Sequence, residues 1–542
     1  MKKRMIFFFL GLVCLFGRVE IVVGQEVAGH PESSAEKVGG APVVVYGHIS
    51  THGEPEKVVL KFWDSYIDES LKDPSPLIFE MIPEQGKLFA GAPRTSVFNF
   101  DIPEISSPAR LSLIYKDKAI LDRYLVEPGD SIMIHLDMKM NRVLFGGPSS
   151  DKFRCQYAID LAIQETYFSN PEKMTVSHRE KALANEEDRK VYEAANSTFK
   201  RGLEIIERGQ DELALLIKKM ETLGNPSGAQ EILKFYKPKL SDKAFRILEA
   251  DIRGREYSAI TMSFYKYVYS FSPLVEDPEF IPALDSFYYR YIHSIPSDFV
   301  PAHIGIFSLG YLQHRFDLEH ARAVVEKKDP YELIFKLEKG PVRDRLLGMY
   351  FARNFTRMPL AAERLSESLS EVKEKGVRDY LSVLLHRNTP GAPIPDFHLE
   401  NPEGESVALS SFEGKTVLLQ FWTAGCKASL NLMKEELFPL AKSLEGNADF
   451  LLVTVEAGNN GEYWKNMVTS APFEGSNIKH LNTGGLSHSI LKHFNVYSFP
   501  HQLILDESGR LYKAEGLPMR KELLKREIEN AQSINTNNKS QK

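Results

Sequence analysis

The rhythm of hydrophobic and polar residues changes along the chain, and the changes divide it. From Ala41 to about Phe145 apolar residues come in short runs. These are Val43–Tyr46, Val58–Trp63, Lys87–Ala90, Ser96–Phe100, Arg110–Tyr115 and Ile132–Leu136. Turn-forming clusters such as Asp73-Pro74-Ser75-Pro76 and Glu127-Pro128-Gly129-Asp130 separate them. Short strands with proline and glycine punctuation predict a β-sandwich over 41–149. Gly146-Gly147-Pro148 ends that rhythm. Over 150–388 the period is that of a helix, with apolar faces set against charged ones in runs such as Arg201–Glu207 and Glu212–Ile217. Breaks near Pro226, Pro238, Pro273, Pro296, Pro341 and Pro359 cut this α-helical region into bundle-like antiparallel segments.

Thr389-Pro390-Gly391-Ala392-Pro393-Ile394-Pro395 marks the next boundary. Beyond it strands alternate with helices, which predicts an α/β domain over 389–535. Val407–Leu409, the run ending at Trp422, Asp449–Val455 and Phe499–Asp506 read as strands. Leu511–Ala514 pairs back across the turn Glu507–Arg510. Helices are expected from Cys426 to about Ser443, from Gly461, from His488 and from Arg520 to Gln532. Residues 536–542 read as a disordered tail.

Composition narrows the class. At 43% hydrophobic and 11% aromatic residues the chain is globular, and 542 residues are too many for one core. A net charge of −6 gives no reason to expect a nucleic-acid partner. Lys2, Lys3 and Arg4, then the apolar run Ile6–Phe16 and the small-residue site Val22-Val23-Gly24, predict a signal peptide over 1–24. A polar linker follows over 25–40. Without the leader the charge becomes −9. The expected location is the periplasm or cell envelope, with membrane association only through an uncleaved N-terminal segment. Val13 disfavours Cys14 as a lipoprotein cysteine. The mature chain keeps Cys155 and Cys426, far too few for a disulfide scaffold.

Candidate chemistry collects at Cys426. The buried run Thr416–Trp422 enters a turn that places this cysteine at a helix start, where the macrodipole and Lys427 favour thiolate. Elsewhere the residues read as structural. His48 and His52 fall at a strand end and a turn with no third metal ligand, and His135 reads as a strand-face residue. The aromatic cluster Phe264–Phe271 and Cys155 read as core. Glu456 reads as a solvated strand-end carboxylate ahead of a proton shuttle, and His501 equally as a strand histidine or a thiolate partner. No metal set or cofactor motif is legible.

Several pieces together resemble a TlpA/ResA-type thioredoxin-like domain of the bacterial cell envelope. They are Gly391–Phe397, Val407–Lys415, Phe421-Trp422 leading to Cys426, and Asn495–Pro500 before the strand ending at Asp506. Upstream, Tyr124–Asp130 and Gly146-Gly147-Pro148 resemble the β-domain that often precedes such domains. The resemblance implies a thiol-disulfide oxidoreductase with catalytic positions Cys426, Ser429 and Pro500, and with Phe499 and Trp422 at the substrate. It implies a cis bond before Pro500, facing Cys426, and partners that are envelope proteins bearing thiols or disulfides. The family motif Trp-Cys-x-x-Cys stands here as Gly425-Cys426-Lys427-Ala428-Ser429. A serine cannot break a mixed disulfide, so no dithiol cycle is available within this domain. Two readings stay open: a single-cysteine exchange protein, and a non-catalytic binding or scaffold protein of the same fold. A thiol peroxidase fits less well, because Leu419 stands where its motif has proline, although Thr423 matches. No Cys-x-x-Cys-His points to haem.

Overall fold

The computed structural model describes residues 20–22, 40–68, 76–91, 94–197, 202–223, 226–269, 280–458, 461–469, 475–486, 488–494, 496, 498–514 and 516–539. The chain forms two compact units, one of residues 1–66 and 75–327 and one of residues 67–74 and 328–542. Of the expected leader only Glu20–Val22 is described, as a strand antiparallel to Leu77–Met81. The rest of the leader and linker residues 25–39 lie outside the described residues. No helix among the described residues is long and apolar enough to cross a membrane.

The first unit begins with two five-stranded sheets whose inward residues share one core. Alternation decides which residues those are: Val43, Val45, Gly47 and Ile49 of Ala41–Ser50 are buried while Val44, Tyr46 and His48 between them are half-exposed. Ala41–Ser50 pairs in parallel with Ser131–Asp137 and antiparallel with Thr95–Ile105. Lys87–Ala90, expected as a strand, is instead a bend and turn with Phe89 exposed. The strands there are Leu77–Met81 and Glu84–Gly86, which find partners where Phe89 has none.

Helices follow, and one expectation among them fails. Leu203–Glu207 is a strand, paired in parallel with Glu172–Val176. Gly202 at φ +78° stops any helix there, and the β-branched Ile205-Ile206 suits a strand. Phe264, Tyr265 and Val268 of the aromatic cluster are buried, as a core role requires; Ser270 and Phe271 lie outside the described residues. Helices Asp242–Ser263 and Leu309–Glu326 touch at Gly254 and Gly310, where a β-carbon on either glycine would come within 2.1 Å of the other helix's backbone.

The second unit joins the helices Pro330–Phe335, Pro341–Asn354, Ala361–Glu371 and Lys375–Asn388 to a seven-stranded mixed sheet. The sheet order is Ser406–Ala408, His398–Glu400, Ile478–Asn482, Phe450–Glu456, Thr416–Trp422, His501–Leu505, Leu511–Lys513. Thr416–Trp422 pairs in parallel with Phe450–Glu456 and antiparallel with His501–Leu505. Every residue of these three strands is buried, so both faces of the sheet centre are covered. Val417, Leu419 and Phe421 point into one core, Leu418 and Trp422 into the other. The closing helix runs from Lys521 to Lys539, past the expected start of a tail at 536; residues 540–542 lie outside the described residues.

Candidate functional site

The site sits where Thr416–Trp422 ends. The Ala457 amide bonds the Trp422 carbonyl at 2.9 Å, and the chain then turns through Thr423-Ala424-Gly425. The Cys426 amide closes the turn onto the Thr423 carbonyl at 2.9 Å. Cys426 is the N-cap of Lys427–Leu432, which continues helically through Met433–Leu437 to Ser443. Its own carbonyl takes the first helical bond, from the Leu430 amide at 3.1 Å. Leu432, Met433 and Leu437 bury the helix face that holds this arrangement against the sheet.

The sulfur is half-buried and lies against the loop carrying Pro500. The Phe499–Pro500 peptide bond is cis. The neutral thiol donates to the Phe499 carbonyl at 3.6 Å, a contact that ionisation removes. Burial pushes the Cys426 thiol up, but the Ser429 hydroxyl and the Ser429 and Ala428 amides outweigh it and hold the group below the ordinary thiol value. In the neutral form the Ser429 hydroxyl makes no hydrogen bond of normal geometry, although it is fully buried. A hydroxyl proton rotates freely, so it turns to the sulfur once charge develops there.

Glu456 is not a solvated strand end. It is 2% exposed beneath the turn, and its two oxygens are occupied. Oε1 accepts from the Ala424 amide at 3.2 Å and Oε2 from the Asn482 side-chain amide at 2.7 Å. Asn482 belongs to the strand Ile478–Asn482, which the sequence pattern did not reveal. His501 is buried beside Phe421, and burial alone drives its pKa down to about 4, so it is neutral. Trp422, expected at the substrate, is corrected: it is fully buried in the core under the site helix and reaches no surface. Phe499 is half-exposed and stays at the site. A second approach to this loop was not foreseen: Arg357 Nε donates to the Ser498 hydroxyl at 2.8 Å.

The Redoxin family model matches residues 389–532. Residues 389–532 are a Redoxin domain of thioredoxin-like fold. The thioredoxin-like protein YneN of Bacillus subtilis (strain 168) is 30% identical to the chain over 126 residues. That match spans 22% of this chain and 66% of YneN, just under two thirds of its length. Among solved structures, the C-terminal domain of a putative thiol-disulfide oxidoreductase from Bacteroides thetaiotaomicron is 25% identical, covering 27% of this chain and 97% of that one, with a TM-score of 0.24. An exposed lipoprotein thioredoxin from Streptococcus pneumoniae strain TIGR4 is 24% identical, covering 25% and 99%, with a TM-score of 0.21.

The redoxin domain holds one of the two cysteines among the described residues. The other, Cys155, is fully buried in the first unit, and burial pushes its thiol up to about 12. No group of three or more metal-ligating side chains occurs among the described residues. An open apolar depression of about 810 Å³ beside Leu161, Ile163, Tyr167 and Phe168 in the first unit is lined by no cysteine or histidine.

Proposed function

We propose that the chain is an exported thioredoxin-like protein that exchanges thiols and disulfides with cell-envelope proteins through Cys426 alone. The observation carrying this reading is the seat of Cys426, the N-cap of the helix Lys427–Leu432, with its half-buried sulfur against the carbonyl before the cis Pro500 bond. The Ala428 and Ser429 amides and the Ser429 hydroxyl lower its pKa. Thiolate is the form that attacks. In the proposed step the Cys426 thiolate forms a bond to one sulfur of a substrate disulfide. The substrate S–S bond breaks, and the departing thiolate takes a proton from water. Ser429 cannot attack the mixed disulfide, so a thiol from outside the domain must displace Cys426. Export rests on the N-terminal pattern Lys2–Arg4, Ile6–Phe16 and Val22–Gly24.

The test is incubation of the full-length protein with a disulfide-bearing protein, followed by non-reducing separation. The expected result is a covalent adduct mapped to Cys426 and lost in C426S. No adduct, with Cys426 unreactive across neutral pH, overturns the reading. A second reading, a binding or scaffold protein without turnover, is favoured by the serine that occupies the resolving position.

A further inference from the structure

Arg357 ends a short 3-10 turn, Phe355–Arg357, in the helical part of the second unit. The turn is firmly seated: Phe355 is 1% and Met358 7% exposed, and Arg353 just before it is ion-paired with the buried Asp68. From that base the exposed Arg357 side chain reaches Ser498, 141 residues away in the chain. Ser498 lies two residues before Pro500, and the carbonyl of the intervening Phe499 touches the Cys426 sulfur.

The contact uses one nitrogen, Nε, of a side chain with five N–H donors. The two terminal nitrogens, with four N–H groups, meet no acceptor among the described residues. A planar guanidinium left in that state matches a carboxylate, which it binds through two parallel bonds. Glu456, the acid beneath the turn, is buried and already paired with Ala424 and Asn482. Lys427, also exposed, stands beside Cys426. One cation is therefore tied to the loop that touches the half-buried sulfur and another follows Cys426 in the chain, in a protein whose net charge is −6.

Resting on the single-cysteine reading above, we infer that Arg357 selects substrates whose reacting disulfide lies next to an aspartate or glutamate. The arginine touches neither reacting sulfur. It holds the substrate chain against the Ser498–Pro500 loop and so acts on specificity. The competing role, a plain fastener for the loop, needs only the Nε–Ser498 bond and predicts no charge preference.

Two synthetic peptide disulfides separate these roles, alike except for Asp or Asn beside the cystine. The rate constant for mixed-disulfide formation at Cys426 is measured in the full chain, in R357Q and in S498A. The natural protein is expected to favour the Asp peptide about fivefold at low salt, the size of a good exposed ion pair. R357Q removes the preference by bringing the Asp-peptide rate down to that of the Asn peptide, while S498A, which keeps the charge, retains most of it. Added salt erodes the preference in the natural protein. Equal loss of both rates in R357Q, or a preference that survives R357Q, overturns the inference and leaves single-cysteine exchange standing. A Cys426 inert to both peptides overturns both.

Discussion

The two described cysteines sit in opposite surroundings. Cys155 lies on the helix Ser150–Ser169 among Leu125, Ile159, Leu233 and Ile247, and nothing but burial acts on its thiol. Cys426 also feels burial, yet its acidity moves the other way, because the Ser429 hydroxyl and the Ser429 and Ala428 amides at the helix start favour its thiolate. Burial by itself drives any titrating group toward its neutral form, and only aimed donors reverse that. What separates the acidities of the two thiols is therefore the turn and the helix start around Cys426. The sharpest way to break this comparison is to label both sulfurs. A thiol at about 12 and one below 9 differ at least about 1000-fold in thiolate at neutral pH. Iodoacetamide should modify Cys426 faster by that factor in the folded protein, with the difference vanishing in urea. Comparable rates in the folded protein would end the argument.

The same rule reaches other groups in the redoxin domain. His501, next to Pro500, is held near 4 by burial alone, and His493 near 4 by burial with help from Arg387. Both are neutral when folded. Unfolded, each binds a proton below its ordinary value of 6.5. Their contribution is thus complete above pH 6.5 and is lost as the pH falls toward 4. A shift of this size is worth on the order of 3 kcal/mol per histidine. Urea midpoints at pH 7 and 4.5 should fall further for the natural protein than for H501Q. Equal falls would show that the ring near the sulfur is not governed by burial.

How much of this was legible in the sequence depended on whether the signal was local. The runs Thr416–Trp422 and Asp449–Val455 are apolar without a break, which is what strands covered on both faces look like, and they announced the sheet centre. Cys426 and Pro500 were legible for the same reason, each being flanked by its own strand or helix. Trp422 was not. Phe421 and Trp422 are equally apolar, and only the parity of the strand sends one into each core. Glu456 was hidden because its burial depends on Asn482, 26 residues later, on a strand whose polar Lys479 and His480 obscured it. The Leu203–Glu207 strand was missed because its parallel partner lies about 30 residues upstream. Arg357 meets Ser498 only through the fold.

Replacing the missing thiol tests whether the donors are intact around a vacant role. Ser429 is fully buried and its hydroxyl has no partner while Cys426 is neutral, so a sulfur there displaces no bond of the resting thiol, although it removes one donor to the thiolate. In S429C the second thiol attacks the mixed disulfide within the molecule, and insulin-type disulfide reduction should exceed that of the natural protein by about 100-fold. Equal activity in the two would mean that release from Cys426 is not what limits turnover.

The smallest effect separates the donors from the scaffold beneath them. Glu456 touches the turn, through the Ala424 amide, but not the sulfur. In E456A that amide and the Asn482 side chain lose their acceptor, at a cost of about 2 kcal/mol in urea unfolding. E456Q keeps an oxygen for Ala424 and should lose less than half of that. The Ala428 and Ser429 donors remain in both, so the pH curve for Cys426 alkylation should stay below that of an ordinary thiol. If E456A instead raises the curve to the ordinary thiol range, the acidity of Cys426 belongs to the turn geometry that Glu456 holds. The contrast with Cys155 would then rest on one buried carboxylate as much as on the helix start.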